Sequence, residues 1–172
     1  IAATLKSQGK SIDQKTVDRY IRGLTDSLMI NEVRRYNIKG KQFLTQQNKY
    51  YVADVALRNV LVRGKDSDTG HILENIVYLE LLRRGYDVYV GQLDNGGEVD
   101  FAAIGADNVI YYQVAATTLD ESTLKRELDP FKKIADNYPK YLLTLDEVFG
   151  TANYDGIKKL NVLDWLLGKD KE

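Results

Sequence analysis

Apolar and polar positions along the chain follow two periods, and the places where one gives way to the other mark out its elements. Asp13 is placed as a helix N-cap, and Val17, Tyr20, Ile21, Leu24 and Leu28 then recur at helical spacing, which predicts a helix over 14–28. The residues at the very start of the chain, from Ile1, also read as helix. Residues 29–36 and 50–53 have the composition of strands, linked by a polar stretch that holds Lys39-Gly40-Lys41. Residues 62–69 are polar, charged and without period, which predicts a boundary. From Gly70 the sequence GHILENIVYLELLRRG predicts a helix that is apolar nearly all round, hence buried, and stopped by Gly85. A strand over 87–91 and a turn at Asn95-Gly96-Gly97 lead into EVDFAAIGADNVIYYQVA, two strands joined through Gly105-Ala106-Asp107-Asn108. Strict alternation puts Val99, Phe101 and Ala103 on one face of the first strand, and Tyr111, Gln113 and Ala115 on one face of the second. A charged helix over 119–136 follows, which Pro130 is expected to kink or divide. Tyr138-Pro139 stops it, a strand covers 140–145, and the tail gives a short strand near 160–163 and a helical stub at 164–167. From Gly70 onward the order is α-β-β-β-α-β, an α/β (α+β) layered arrangement around a mixed sheet.

Composition narrows the chemistry. With no cysteine and the single histidine His71, disulfides, thiolate sites and multi-histidine zinc sites are excluded. No apolar run reaches the roughly 18 residues a membrane helix needs and no signal-peptide pattern opens the chain, so no membrane partner is expected and the cytoplasm is the default compartment. The chain begins with Ile1 rather than Met, and reads as a piece of something longer. The net charge of −1 conceals a split: residues 1–61 hold 11 Lys/Arg against 5 Asp/Glu, and residues 62–172 hold 13 against 20. That predicts two units, 1–61 and 70–172, joined by 62–69. Two helices and a basic hairpin outline a winged helix, whose DNA-reading form would place the helix over 14–28 in the major groove with Lys15, Arg19 and Arg22 outward, and Lys39 and Lys41 on the wing. The ordinary alternative is a basic unit leaning on an acidic neighbour. Tyrosine is frequent, at 12 residues, and its pairs Tyr50-Tyr51 and Tyr111-Tyr112 read as sheet packing.

A few polar residues fall where polar residues are costly. Glu80 has Arg83 and Arg84 at i+3 and i+4, an ordinary solvated pairing. Glu74 instead has Val77 and Tyr78 there, so burial demands a distant partner or a metal. Asp100 and Gln113 likewise sit inside β-rich apolar segments, and all three are expected to converge, with hydrogen bonding among themselves as the plain alternative. His71, early in its helix, is expected to cap or cover rather than to catalyse.

A helix glutamate, a strand aspartate and a polar residue in the next strand, in an α-β-β-β-α-β order, resemble the PD-(D/E)XK or restriction-endonuclease-like superfamily. More closely, GHILENIVYLELLRRGYDVYVG, EVDF, YYQVA and RELDPFKKIADNYPKYLLTLD are similar to the uncharacterised domain that follows the ATPase module of many prokaryotic AAA-type ATP-binding proteins, where a winged-helix segment precedes it. The resemblance implies a fold, an ATPase module of the same chain as partner, possible DNA contact, and a Mg²⁺ site held by Glu74 and Asp100 for phosphodiester hydrolysis. It also exposes departures. Gln113 stands at the third acidic position, and Ala115 where a lysine belongs, leaving Lys125, Arg126 or Lys140 as candidates for a displaced cation. No G-x-x-x-x-G-K-[ST] occurs, so ATP enters only through a module outside this chain. The expectation is a nuclease-like fold with a degenerate catalytic edge, serving as a regulatory or partner-binding domain. A metal-dependent DNA nuclease using Glu74 and Asp100 is the alternative, and a winged-helix DNA-binding regulator the second.

Overall fold

A computed structural model describes residues 7, 9, 12–62, 69–94 and 96–169. The helix expected around Ile1 and most of the 62–69 segment lie outside the described residues. Helix α1 (Gln14–Asp26) is capped as expected, with the Asp13 carboxylate accepting from the Thr16 amide at 2.7 Å. Its apolar side is only half covered, however: Val17 is buried while Tyr20, Leu24 and Leu28 are exposed, and among the described residues the helix packs chiefly on the following strand. Strands β1 (Ile30–Asn37) and β2 (Gln42–Val52) form the hairpin. Then come α2 (Val55–Val62), which the pattern did not announce, and the apolar helix α3 (Thr69–Arg83). Gly85 ends α3 with φ +84°, and the Tyr86 amide returns to the Leu81 carbonyl, so the predicted stop is a left-handed glycine turn. Strands β3 (Asp87–Gln92), β4 (Glu98–Ile104) and β5 (Val109–Ala115) follow. Helix α4 (Glu121–Lys132) comes next, then β6 (Lys140–Thr144), a short β7 (Ala152–Tyr154), β8 (Ile157–Asn161) and α5 (Val162–Leu166). Pro130 does not divide α4; it sits in the last turn, where its missing N–H leaves only the Arg126 carbonyl without its helical bond, and the helix ends two residues later.

Among the described residues the strands form one eight-stranded mixed sheet in the order β2-β1-β3-β4-β5-β6-β8-β7. β1 runs parallel to β3 through the pairs Arg35–Val90, Tyr36–Gly91 and Asn37–Gln92. The hairpin of the basic segment is therefore the edge of the same sheet that carries the α-β-β-β-α-β unit, and the expected division at 62–69 does not separate two sheets. The physical reason is burial: Val33 and Tyr51 of the hairpin belong to the core that α3 makes with β3, β4 and β5. Leu73, Val77, Tyr78 and Leu81 of α3 fill that face, and Leu128 and Phe131 of α4, with Ile134 beyond it, fill the other against Val99, Ala102, Tyr111 and Leu142. Among the described residues no helix is long and apolar enough to cross a membrane.

One detail of register matters for the site. Tyr89 pairs with Ala102 but Gly91 with Val99, so Asp100 and Phe101 together oppose Val90. This β-bulge breaks the strict alternation expected of β4: Val99 turns to the α4 face, while Phe101 and Ala103 keep to the α3 face. The bulge also re-aims Asp100.

Candidate functional site

The carboxylates come together where β4 and β5 part. Their ladder ends at Phe101–Tyr112, and beyond it side chains bridge the strands. The Gln113 Oε1 accepts from the Asp100 amide at 3.2 Å, and the Asp100 Oδ2 accepts from the Val114 amide at 2.9 Å. The Gln113 Nε2 donates to the Glu127 carboxylate of α4 at 2.9 Å, so both ends of the amide are engaged. Glu74 of α3 approaches from the other face. Its Oε1 accepts from the Tyr51 hydroxyl at 2.5 Å and from the Lys49 ammonium at 3.1 Å. Lys49 and Tyr51 are two residues apart on β2 and so point the same way. The Lys49 Nζ further lies 3.1 Å from the Glu98 Oε1 and 3.8 Å from the Asp100 Oδ1. Arg35 closes the cluster, donating to Glu98 and, at 2.8 Å, to Gln92. Tyr51 is further fixed by stacking on Tyr78, ring centroids 4.6 Å apart, and the Asn75 side chain binds both the amide and the carbonyl of Val52 at 2.9 and 3.0 Å. Helix α3 thereby clamps the outer strand of the sheet.

Electrostatics follow from this packing. Burial, and then the charge of Glu74, push the Asp100 carboxyl up to about 7 against the opposing pull of Lys49. Burial works against the Lys49 charge, yet Glu74, Asp100 and Glu98 outweigh it and hold the ammonium above its ordinary range. Burial beside Glu74 drives the Tyr51 hydroxyl far up, so it is a hydrogen-bond donor only. Burial likewise opposes the Glu98 charge, but Arg35 and Lys49 keep its carboxyl low.

A cleft of about 490 Å³ opens over Glu74, Asp100 and Gln113, rimmed by His71, Arg126 and Glu127. The His71 Nδ1 stands 3.7 Å from the Glu74 Oε2 with its side chain largely in solvent. Ala115 lines the cleft and contributes no charge. Of the three candidates for a displaced cation, none is the one that reaches the carboxylates. Lys140 donates to the Asp136 carbonyl at 2.7 Å, Arg126 pairs with Glu127 at 2.8 Å on the rim, and Lys125 is exposed. The cation is Lys49 of β2, which was not among the site residues singled out from the sequence. Its one signal was the Lys-x-Tyr spacing at 49–51; that this strand docks beside Glu74 is a matter of chain topology. Lys15, Arg19, Arg22, Lys39 and Lys41 are all exposed, the first three on α1 and the last two in the hairpin turn.

These residues do not fit Mg²⁺ as arranged. The ammonium of Lys49 occupies the place between the carboxylates that a cation would take, and the one oxygen of Gln113 is already an acceptor for Asp100. Among the described residues no three carboxylate or imidazole groups form a metal-holding set.

Residues 1–68 match the model of a family described as "Domain of unknown function (DUF8612)". The chain is 38% identical over 167 residues to an "Uncharacterized protein" of Haemophilus influenzae, covering 97% of this chain and 40% of that protein. It is 30% identical over 171 residues to "Uncharacterized protein MJ1544" of Methanocaldococcus jannaschii, covering 95% of this chain and 36% of the relative. No solved structure matches. Both alignments run through the hairpin and the α-β-β-β-α-β unit alike, and the chain spans about two-fifths of the length of these curated relatives.

Proposed function

We propose that this chain is the nuclease-like but non-catalytic part of a longer AAA-type ATP-binding protein, acting as a regulatory or docking domain for the ATPase module of the same chain. The observation that carries the reading is Lys49: an internal ammonium already stands among Glu74, Glu98 and Asp100, in the place where these groups would otherwise hold a cation. Gln113 supports it, since an amide bonded at both ends supplies neither charge nor a free oxygen. The resemblance in residues 70–145 supplies the ATPase context. Plasmid and single-stranded DNA incubated with Mg²⁺ or Mn²⁺ should remain uncut, with Asp100→Ala as the control. In the full-length protein, removal of residues 70–169 should change the ATPase rate, and an unchanged rate would count against a regulatory role.

One observation favours the nuclease alternative. Lys49 lies 3.8 Å from Asp100 and so brings to the cleft the cation that Ala115 lacks. That reading requires the ammonium to withdraw from the carboxylates when a phosphodiester enters. Metal-dependent cutting abolished both by Asp100→Ala and by Lys49→Met would establish it in place of the first.

A further inference from the structure

A second cavity, away from the carboxylates, joins three segments that lie far apart in the chain. The hairpin turn after β1, the turn after β3 and the residues following α4 enclose about 500 Å³, the size of a small-molecule site. Its floor is apolar, made by the buried side chains of Ile38, Leu93 and Ile134. Its rim is cationic: Lys39, Lys41 and Lys133.

The two carboxylates on that rim are already committed. Asp94 takes the Lys39 ammonium and the Asn37 amide, each at 3.1 Å. Asp136 takes the Tyr111 hydroxyl at 2.8 Å and the Tyr138 amide at 3.2 Å. Lys41 and Lys133 have no carboxylate partner among the described residues. Lys41 is also held at φ +48°, the left-handed region that a hairpin of this kind normally fills with glycine. The turn has a glycine, but one position earlier, at Gly40. A lysine kept where glycine is conformationally cheaper points to a use for its ammonium, since no side chain among the described residues pairs with it.

We propose that this cavity binds a nucleotide, with its phosphate on Lys41 and Lys133 and its base on the floor of Ile38, Leu93 and Ile134. A dianionic phosphate suits unpaired ammonium groups, which act as point charges. A flat, weakly polar ring suits a floor that has no polar side chain to satisfy. The phosphate can come from a free mononucleotide or from the end of a nucleic acid strand.

The test is calorimetry on the whole chain with AMP, adenosine, inorganic phosphate, a 5′-phosphorylated and an unphosphorylated deoxynucleotide trimer, and an acidic tetrapeptide. AMP or the phosphorylated trimer should bind at least tenfold more tightly than adenosine, inorganic phosphate or the unphosphorylated trimer; which of the two wins identifies the source. Lys133→Gln and Lys41→Gly should each weaken binding tenfold or more, while Lys41→Gly raises the thermal midpoint by relieving the left-handed backbone. Lys169→Gln, on the exposed residues after α5, should leave binding unchanged. Equal binding of AMP and adenosine, equal binding of the acidic peptide, or undiminished binding in Lys41→Gly would each overturn the proposal.

Discussion

Two lysines, each among carboxylates, show how a single residue decides local stability. Lys49 is the sole ammonium within reach of both Glu74 and Asp100 among the described residues, and its side chain is 27% exposed. Lys49→Met should therefore cost about 2–3 kcal/mol at pH 7, somewhat less than the loss of one partner from a fully buried pair. The pH dependence has a definite sign. Asp100 has a folded-state value raised to about 7 from 3.8, so its protonation stabilises the fold at low pH and that contribution is lost as pH rises through about 7. The deficit of Lys49→Met relative to the parent should accordingly shrink between pH 7 and pH 5, as measured by urea unfolding; a deficit that grows on acidification would refute the assignment. Lys159 and Asp146 form the contrasting pair, 2.8 Å apart with both side chains 2% exposed. Burial opposes the Asp146 charge, but Lys159, Thr117 and the amide and hydroxyl of Thr118 hold its carboxyl below the usual carboxylate range. Its stabilisation is present above pH 3.8 and is lost as pH falls. Asp146→Asn should cost about 3–5 kcal/mol at neutral pH, because it leaves the Lys159 charge buried and uncompensated. Neither lysine could be paired from the sequence: Lys49 lies 25 residues from Glu74, and Lys159 of β8 lies 13 from Asp146, which is in the loop after β6.

At the scale of elements, the bulge in β4 does what alternation could not foretell. Period-2 reading placed Val99 with Phe101 and Ala103, and it holds only after the bulge; the extra residue flips Val99 to the α4 face. Gly91 makes this possible. A Cβ there would meet the Val99 Cγ2 at 2.4 Å and the Ile38 Cδ1 at 3.0 Å. Gly91→Ala should destabilise by about 1–3 kcal/mol through overpacking, and Val99→Ala in the same chain should recover part of that loss. Thermal melts of the two variants check it, and additive losses would show that the two sites do not touch. The helices were more legible. The all-round apolar character of α3, its glycine stop and the pairing of Glu80 with Arg83 and Arg84 were readable, because each depends on residues within one or two turns; that the Glu80 side chain is only 10% exposed rather than solvated was not. Arg84 shows the limit of such reading, since it also covers Trp165 at 4.0 Å and donates to its carbonyl, fixing α5. α2 and β7 escaped the pattern, being short and weakly periodic.

For the molecule as a whole, the question is whether residues 70–169 stand alone. The core on the α3 face loses Val33 and Tyr51 without the hairpin, and the carboxylates lose Lys49. A chain of residues 70–172 should therefore unfold without a cooperative transition and lose its near-ultraviolet dichroism, whereas a sharp melt with retained dichroism would restore the two-domain reading. The sequence by itself determined the element order from α3 to β6, the burial of α3 and the isolation of Glu74 from any local partner, since periodicity, caps and i+3/i+4 neighbours are local properties of a chain. The meeting of Glu74, Asp100 and Gln113 at one cleft was expected from their isolation in apolar elements, but the entry of Lys49, the bulge beneath Asp100 and the joining of both segments into one sheet were decided by tertiary structure. They depend on which strand lies beside which, and the parallel contact of β1 with β3 is made between residues 55 apart whose side chains carry no mark of it. A charge balance can be counted along a chain, but an ammonium finds its carboxylates only once the sheet has closed.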